Sequence, residues 1–413
     1  MPLTSISPRW ALTLAIFTRF LKLGLTSFGG PAAHIGFFHQ AFVVQRRWFD
    51  EATFARWIAL CHLLPGPSSS QLGFLIGYQR GGWAGALAAF VGFTLPSALI
   101  MLGLAYGWFW LDAAWQPVWH ALVLVAAAIV IQVTWQMSWQ FCQAWSLRLL
   151  ALFTAIGLAL WPSVWAPVVL LTLLGGIGVV FKRRLDQAVV PPTQDYDAVG
   201  VTAFRTPSIR MGWGLMAVAV ALLGLLPLWA FSLGGLGAIA DGFYRAGALV
   251  FGGGHVVLPM LELEWVQSGA VTESQFLAGY SLAQALPGPL FTFAAYLGGV
   301  MGGWAGALVA TLAIFLPGLL LIIGILPFYQ AFTSSKRVQA GLVAVQAGVV
   351  GFLLFALAVP ILPHALVDWG SGILLALNLL LLFKWRWPAI WLMPLNIGLY
   401  WSWVQVVRAS SVG

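Results

Sequence analysis

Charge is scarce in this chain. Asp, Glu, Lys and Arg make up 7% of its 413 residues, against 61% hydrophobic residues, whereas a soluble domain carries roughly 25% charged residues. So little polar material cannot coat a surface facing water. A soluble domain, a disordered chain, a coiled coil and a nucleic-acid-binding domain are excluded together. Cysteine is nearly absent: the chain has 2, Cys61 and Cys142. Both stand in apolar surroundings and read as small buried hydrophobes, which excludes a secreted disulfide scaffold. The inventory for enzyme chemistry is also missing. There is no H-E-x-x-H, no G-x-S-x-G, no Walker loop and no clustered Cys/His set, so no catalytic residue, metal or cofactor is expected. No small-residue cleavage site closely follows the first apolar stretch, so a cleavable signal is not expected.

Long apolar runs are what the chain has. About 20 apolar residues cross a hydrocarbon core of about 30 Å. Apolar segments stand near 10–30, 54–80, 81–110, 117–138, 146–161 and 164–181, and again near 213–233, 236–254, 274–298, 302–327, 337–360, 371–383 and 386–403. Several are short or broken by Gly and Pro, so not every one need cross. Trp108, Trp110, Trp161, Trp165, Trp401 and Trp403 suit interface belts, and the net charge of +8 comes mostly from short basic runs between apolar stretches. Both are features of a polytopic membrane protein that obeys the positive-inside rule.

The two halves copy one another. Phe28-Gly29-Gly30 matches Phe251-Gly252-Gly253, and Leu64-Pro65-Gly66-Pro67 matches Leu286-Pro287-Gly288-Pro289. Gly81-Gly82-Trp83-Ala84-Gly85-Ala86-Leu87 recurs as Gly302-Gly303-Trp304-Ala305-Gly306-Ala307-Leu308, and Leu95-Pro96 as Leu316-Pro317. Order and spacing survive through four motifs, which chance similarity of greasy helices would not preserve. The expected domains are a first repeat over 1–181, a polar cytoplasmic linker over 182–212, an extra transmembrane helix over 213–233 and a second repeat over 234–413. One extra crossing between the copies inverts the second. Charges agree: Arg46, Arg47 and Arg56 face Glu262, Glu264 and Glu273 at matched connections, and Asp112 faces Lys336 and Arg337. The expected fold is therefore an all-α polytopic membrane protein of two inverted-topology repeats with broken or re-entrant helices. The N-terminus then lies in the cytoplasm and the C-terminus outside. The charge count favours motif segments that dip in and return over segments that cross.

Pro-Gly-Pro inside an apolar stretch ends a helix, because Pro67 lacks an N–H and clashes with the preceding turn. Irregular backbone at membrane depth survives only inside protein or beside a water-filled cavity. Broken segments at matched places in inverted halves are the sequence mark of a transporter's binding site. After the first break, Pro67-Ser68-Ser69-Ser70-Gln71 reads as a helix start with Pro at its first position and hydroxyls in its first turn. Free N–H groups, a positive dipole end and three hydroxyls suit an anion; the plainer reading is a kink capped by serines. Pro289-Leu290-Phe291-Thr292 offers fewer donors, so Thr292 should matter less. Gly29-Gly30 and Gly252-Gly253 allow a nest of converging N–H groups, or simply close helix packing. Lys22 and Arg245 are cations at membrane depth that either bind the anion or snorkel to the interface. His34, His62 and His255 are candidate proton relays, packing being the alternative. Glu262 and Glu264 read as charges of an outside loop.

Taken together, Phe28-Gly29-Gly30-Pro31-Ala32-Ala33-His34-Ile35, Leu64-Pro65-Gly66-Pro67 and Phe251-Gly252-Gly253-Gly254-His255 resemble the chromate transporter family in its long two-domain form. The resemblance covers nearly the whole chain. It implies a secondary or potential-driven exporter of the chromate dianion in the bacterial inner membrane that confers chromate resistance. The shared motifs fall on Gly29, Gly30, Pro31, His34, Pro65, Gly66, Pro67, Gly252, Gly253, Pro287, Gly288 and Pro289. His255 aligns with Ala32 rather than His34, so the two histidines are not equivalent. Sulfate or another tetrahedral oxyanion is the rival substrate, and a non-transporting membrane scaffold is the rival from another class. The expected partners are chromate and the lipid bilayer, with no nucleic acid. Oligomeric state stays open, a homo-oligomer included.

Overall fold

The computed structural model describes residues 9–108, 116–181, 205–251, 254 and 257–412. Gly252, Gly253 and His255 lie outside the described residues, as does most of the 182–212 linker. Among the described residues every regular element is helical.

The chain begins with α1 (Arg9–Thr26). It stops at Ser27, and Gly29 and Gly30 then take φ of 100° and 76°, which turns the chain into α2 (Gly30–Phe38) and a wider helical turn ending at Gln45. α3 (Glu51–Leu63) starts on Asp50, whose carboxylate accepts from the Thr53 N–H at 2.8 Å. It ends because the residue before a proline is driven into extended backbone, and Leu64 sits at φ −91°, ψ 149°.

α4 (Ser68–Trp108) is a hairpin rather than a rod. At Gly82 the backbone takes φ 63° and the chain reverses. Gly77 and Gly85 then meet so closely that a Cβ on Gly77 would strike the Gly85 carbonyl and the Ala89 Cβ. The first half closes with α5 (Gln116–Phe141), α6 (Trp145–Leu160) and α7 (Ala166–Val180).

α8 (Ile209–Leu233) is the extra helix. Its outer face carries Trp213, Val220 and Leu228, all more than half exposed, as lipid contact demands. The second half repeats the plan. α9 (Gly235–Leu249) and α10 (Val257–Leu261) flank the glycine break. α11 (Glu273–Ala285) starts on a Thr272–Gln275 capping box. α12 (Phe293–Gly324) reverses at Gly303, φ 59°. α13 (Tyr329–Ser334), α14 (Lys336–Ala356), α15 (Leu362–Ala365), α16 (Trp369–Phe383) and α17 (Ala389–Val412) complete the chain.

The two hairpins run in opposite directions. The Tyr106 hydroxyl accepts from the Trp304 N–H at 3.1 Å, and Tyr106 lies about 36 Å of helix beyond Gly82. The reversal at Gly303 therefore stands at the far end of the bundle from the reversal at Gly82. Phe90 meets Phe315 edge-on at 5.2 Å between them. Among the described residues, five helical stretches are long and apolar enough to cross a membrane: 68–107, 117–141, 209–230, 290–324 and 336–365. Gly82 and Gly303 divide two of them, and the long arm after each glycine is itself about 30 Å or more in length. The chain is an all-α multi-pass membrane protein.

Candidate functional site

The breaks of the two halves dock on each other. The Gly66 N–H donates to the Val250 carbonyl at 2.7 Å, and the Gly288 N–H donates to the Ser27 carbonyl at 2.9 Å. Ser27 and Val250 are repeat equivalents, as are Gly66 and Gly288, so one contact is made twice about a pseudo-twofold axis. Each Pro-Gly-Pro of one half thus docks on the residue that ends the first helix, α1 or α9, of the other. Proline is what makes this geometry: Pro65 and Pro67 donate nothing, leaving the one N–H between them free to cross to the other half.

The first-half break is the more polar. Pro67 stands just outside α4, its carbonyl accepting from the Gln71 N–H at 2.9 Å; it occupies the cap rather than the first helical position. The N–H groups of Ser68, Ser69 and Ser70 are then the free first-turn donors, and no described backbone carbonyl accepts from them. All three serines are buried. His34, buried in α2, places Nδ1 3.4 Å from Ser69 Oγ and Nε2 3.2 Å from the Ser27 carbonyl. A carbonyl only accepts, so Nε2 carries the proton, and neutral His34 accepts from Ser69. This contact joins the second turn of α2 to the first turn of α4, whose N-terminus is a positive helix end. Gln71 Nε2 donates to the Pro65 carbonyl at 2.8 Å and to Gly318 at 3.2 Å, tying the break to α12.

Among the described residues, Ser27 Oγ and Ser70 Oγ are buried without a partner, as is Thr94 Oγ1, one residue after the Phe93 that meets His34 edge-on at 5.2 Å. Leaving a buried polar group unsatisfied costs about 1–3 kcal/mol, and buried polar groups are rarely left so. Among the described residues of the second half, the equivalent positions are apolar or engaged. Val257 stands where His34 does and Phe291 where Ser69 does, and the Thr292 hydroxyl is spent on the Pro289 carbonyl at 2.8 Å. Residues 14–179 and, separately, 237–401 both match the family model described as chromate transporter. Together they span most of the chain.

The chain belongs to the chromate transporter family. It is 28% identical to a chromate transport protein of Pseudomonas aeruginosa over 82% of this chain and 78% of that one. It is 27% identical to a chromate transport protein of Cupriavidus metallidurans over 89% of this chain and 87% of that one. An uncharacterized transporter of Methanocaldococcus jannaschii is 27% identical over 90% of each. No solved structure matches.

In this chromate transporter family member the two cations expected at membrane depth have surroundings other than the serines. Lys22 lies on the exposed face of α1. Arg245 is buried, but its guanidinium bonds to Asp241 one turn back and to Glu264 at 3.0 Å, with Trp165 beneath it at 4.8 Å. Two carboxylates already compensate that charge, which corrects the expectation of an anion ligand. His62 lies in the last turn of α3, its Nε2 buried without a partner among the described residues. The expectation that Glu262 and Glu264 are loop charges fails too: Glu262 is 7% exposed and Glu264 half-buried in the Arg245 cluster. Sequence reasoning missed Ser27, Thr94 and the bridging role of Gln71. Ser27 carried a signal, one residue before Phe28-Gly29-Gly30.

Proposed function

We propose that the protein exports the chromate dianion from the cytoplasm of a bacterium through its inner membrane and so confers chromate resistance. One observation carries the reading: His34 of α2 meets Ser69 in the first turn of α4, whose free N–H groups stand beside buried hydroxyls that lack partners. Neutral donors and helix dipoles suit a dianion that must be released again, because a fixed cation would hold it too long. Gly29 and Gly30, with the N–H groups after Pro67, form the cradle; Ser68, Ser70 and Ser27 supply hydroxyls, while Ser69 supplies its N–H and holds His34 through its hydroxyl. Gly66 and Gly288 hold the breaks in place from opposite halves. Energy need not come from ATP. Each charge moved through 100 mV is worth about 2.3 kcal/mol, so a departing dianion gains about 4.6 kcal/mol. That sustains a gradient of about three decades. Everted membrane vesicles carrying the protein should accumulate chromate, right-side-out vesicles should not, and excess sulfate should compete. Accumulation of the reverse sidedness would contradict export.

The orientation we propose puts the N-terminus and the 182–212 linker in the cytoplasm and the C-terminus outside. Arg80 lies 5.3 Å over Trp48, and Gln79 exchanges hydrogen bonds of 3.0 and 2.8 Å with the backbone of Arg205. These contacts gather the return of α2, the Gly82 reversal and the linker at one end, which supports segments that dip in and return. Single cysteines at Gln45 and Gln267, in a chain lacking Cys61 and Cys142, should label with an impermeant thiol reagent from opposite sides. Labelling of both from one side would contradict the inverted arrangement.

A further inference from the structure

A cleft of about 450 Å³ opens between the last turns of α5 and the connection from α16 to α17, and it shares no residue with the anion site. α5 contributes Gln132, Trp135 and Gln136, and the facing wall carries Leu382, Arg386 and Trp387. Gln132 Nε2 joins the walls by donating to the Leu382 carbonyl at 3.4 Å, and the Trp387 N–H donates to the Leu381 carbonyl at 3.2 Å. Carbonyls at the negative end of α16 are thereby engaged. What the cleft offers a ligand is the Arg386 guanidinium and the Gln136 amide.

Arg386 is the unusual residue. Its φ is 53°, left-handed backbone that disfavours any residue with a Cβ and that glycine would adopt freely. Such strain gathers where a side chain has a task, ligand clamps included. Of the cations beside the α5–α6 and α16–α17 connections, Arg148 donates from Nε to the Cys142 carbonyl at 3.0 Å, and Lys384 lies 5.6 Å over Trp385. The Arg386 side chain makes no ion pair, hydrogen bond or ring contact among the described residues. The level of the cleft is marked independently. Trp135 and Trp139 of α5, Trp145 of α6, Trp385, Trp387 and Trp391 of α17 are all exposed around these two connections, and exposed tryptophans gather at the membrane–water interface. The orientation proposed above turns this end to the cytoplasm, the side on which basic pockets between helices hold anionic headgroups. A free oxyanion is a poorer occupant, because it would leave the Trp135, Leu382 and Trp387 wall uncovered.

We infer that this cleft binds one anionic phospholipid, with Arg386 and Gln136 on the phosphate oxygens and Trp135 and Trp387 against the glycerol and first acyl carbons. The site is separate from the anion path, and binding rather than transport reads it out. Native mass spectrometry of the purified protein in a neutral detergent, titrated with dioleoylphosphatidylglycerol or dioleoylphosphatidylcholine, tests it. The wild type should hold one phosphatidylglycerol about tenfold more tightly than phosphatidylcholine, as a charge-assisted contact with a net anion warrants. Arg386→Gly suits the left-handed backbone, so its Tm without added lipid should be unchanged or raised. Its affinity for phosphatidylglycerol should fall about tenfold or more. Arg46→Gln removes a cation from another connection and should stay within about twofold of wild type. Excess inorganic sulfate should leave the lipid in place. Equal phosphatidylglycerol affinity in wild type and Arg386→Gly would overturn the site, as would equal affinity of the wild type for the two lipids. An equal loss in Arg46→Gln would also overturn it, by showing attraction to net charge alone. Release of the lipid by sulfate would overturn it in favour of a soluble oxyanion. A lowered Tm of lipid-free Arg386→Gly would make the arginine structural and overturn it as well.

Discussion

Gly66→Ala should leave little folded, active transporter. Gly66 has φ +121°, and a Cβ there would stand 2.8 Å from the Gly318 Cα and 2.9 Å from Gln71 Nε2. The first of these is backbone of the other half and cannot swing aside. The left-handed conformation alone costs a residue with a Cβ about 1–2 kcal/mol, and overpacking adds about 1–3 kcal/mol. The movement that relieves the clash also pulls the Gly66 N–H from Val250. A loss of about 3 kcal/mol or more is a large part of a total stability of about 5–15 kcal/mol. Gly30→Ala is the control, because φ there is +76° but nothing lies within 4 Å of the added Cβ. It should cost about 1–2 kcal/mol. Thermal unfolding of the purified proteins, with the amount inserted in the membrane, checks both. Equal behaviour of the two variants would show that the halves do not lock at Gly66.

Ser70→Ala should weaken chromate binding while leaving stability unchanged or raised. Ser70 Oγ is buried without a partner, so removing it relieves an unmet hydrogen bond. The same hydroxyl donating to a dianion would be worth about 1.5–3 kcal/mol, so apparent affinity should fall about tenfold or more. Opposite signs in stability and affinity separate a binding group from a structural cap, whose loss lowers stability first. Ser69→Ala also removes the contact with His34 and should lower both. Thr292→Ala should leave affinity within about twofold, because that hydroxyl is held by Pro289. Concentration-dependent uptake into everted vesicles, scaled to inserted protein, gives the affinities. Unchanged affinity in Ser69→Ala, Ser70→Ala and the triple serine variant would make the hydroxyls caps and place the anion elsewhere.

The breaks were legible in the sequence because proline and glycine act on their own backbone. Pro65, Pro67, Gly82 and Gly303 interrupt or reverse helices whatever surrounds them. The repeat was legible for the same reason, as local punctuation preserved in order. Docking between halves was not, since Gly66 to Val250 and Gln71 to Gly318 join residues far apart in the chain. Arg245 was misjudged for a related reason. Asp241, four residues back, could be read as a helical partner, but Glu264 and Trp165 arrive from other elements. Glu262 was misjudged because a charge pattern reports the side of the membrane and says nothing of burial. Ser27 stands beside a motif, but packing alone buries its hydroxyl; Thr94 carries no motif and follows the Phe93 that meets His34 edge-on at 5.2 Å.

Counterflow of labelled chromate by the purified protein in liposomes tests the central claim most directly. Vesicles loaded with unlabelled chromate and diluted into a trace of label need no driving force beyond exchange through one site. The account predicts a transient overshoot of label inside that excess unlabelled chromate outside abolishes. Entry of label no faster than in protein-free liposomes, for protein shown to be folded, would contradict it.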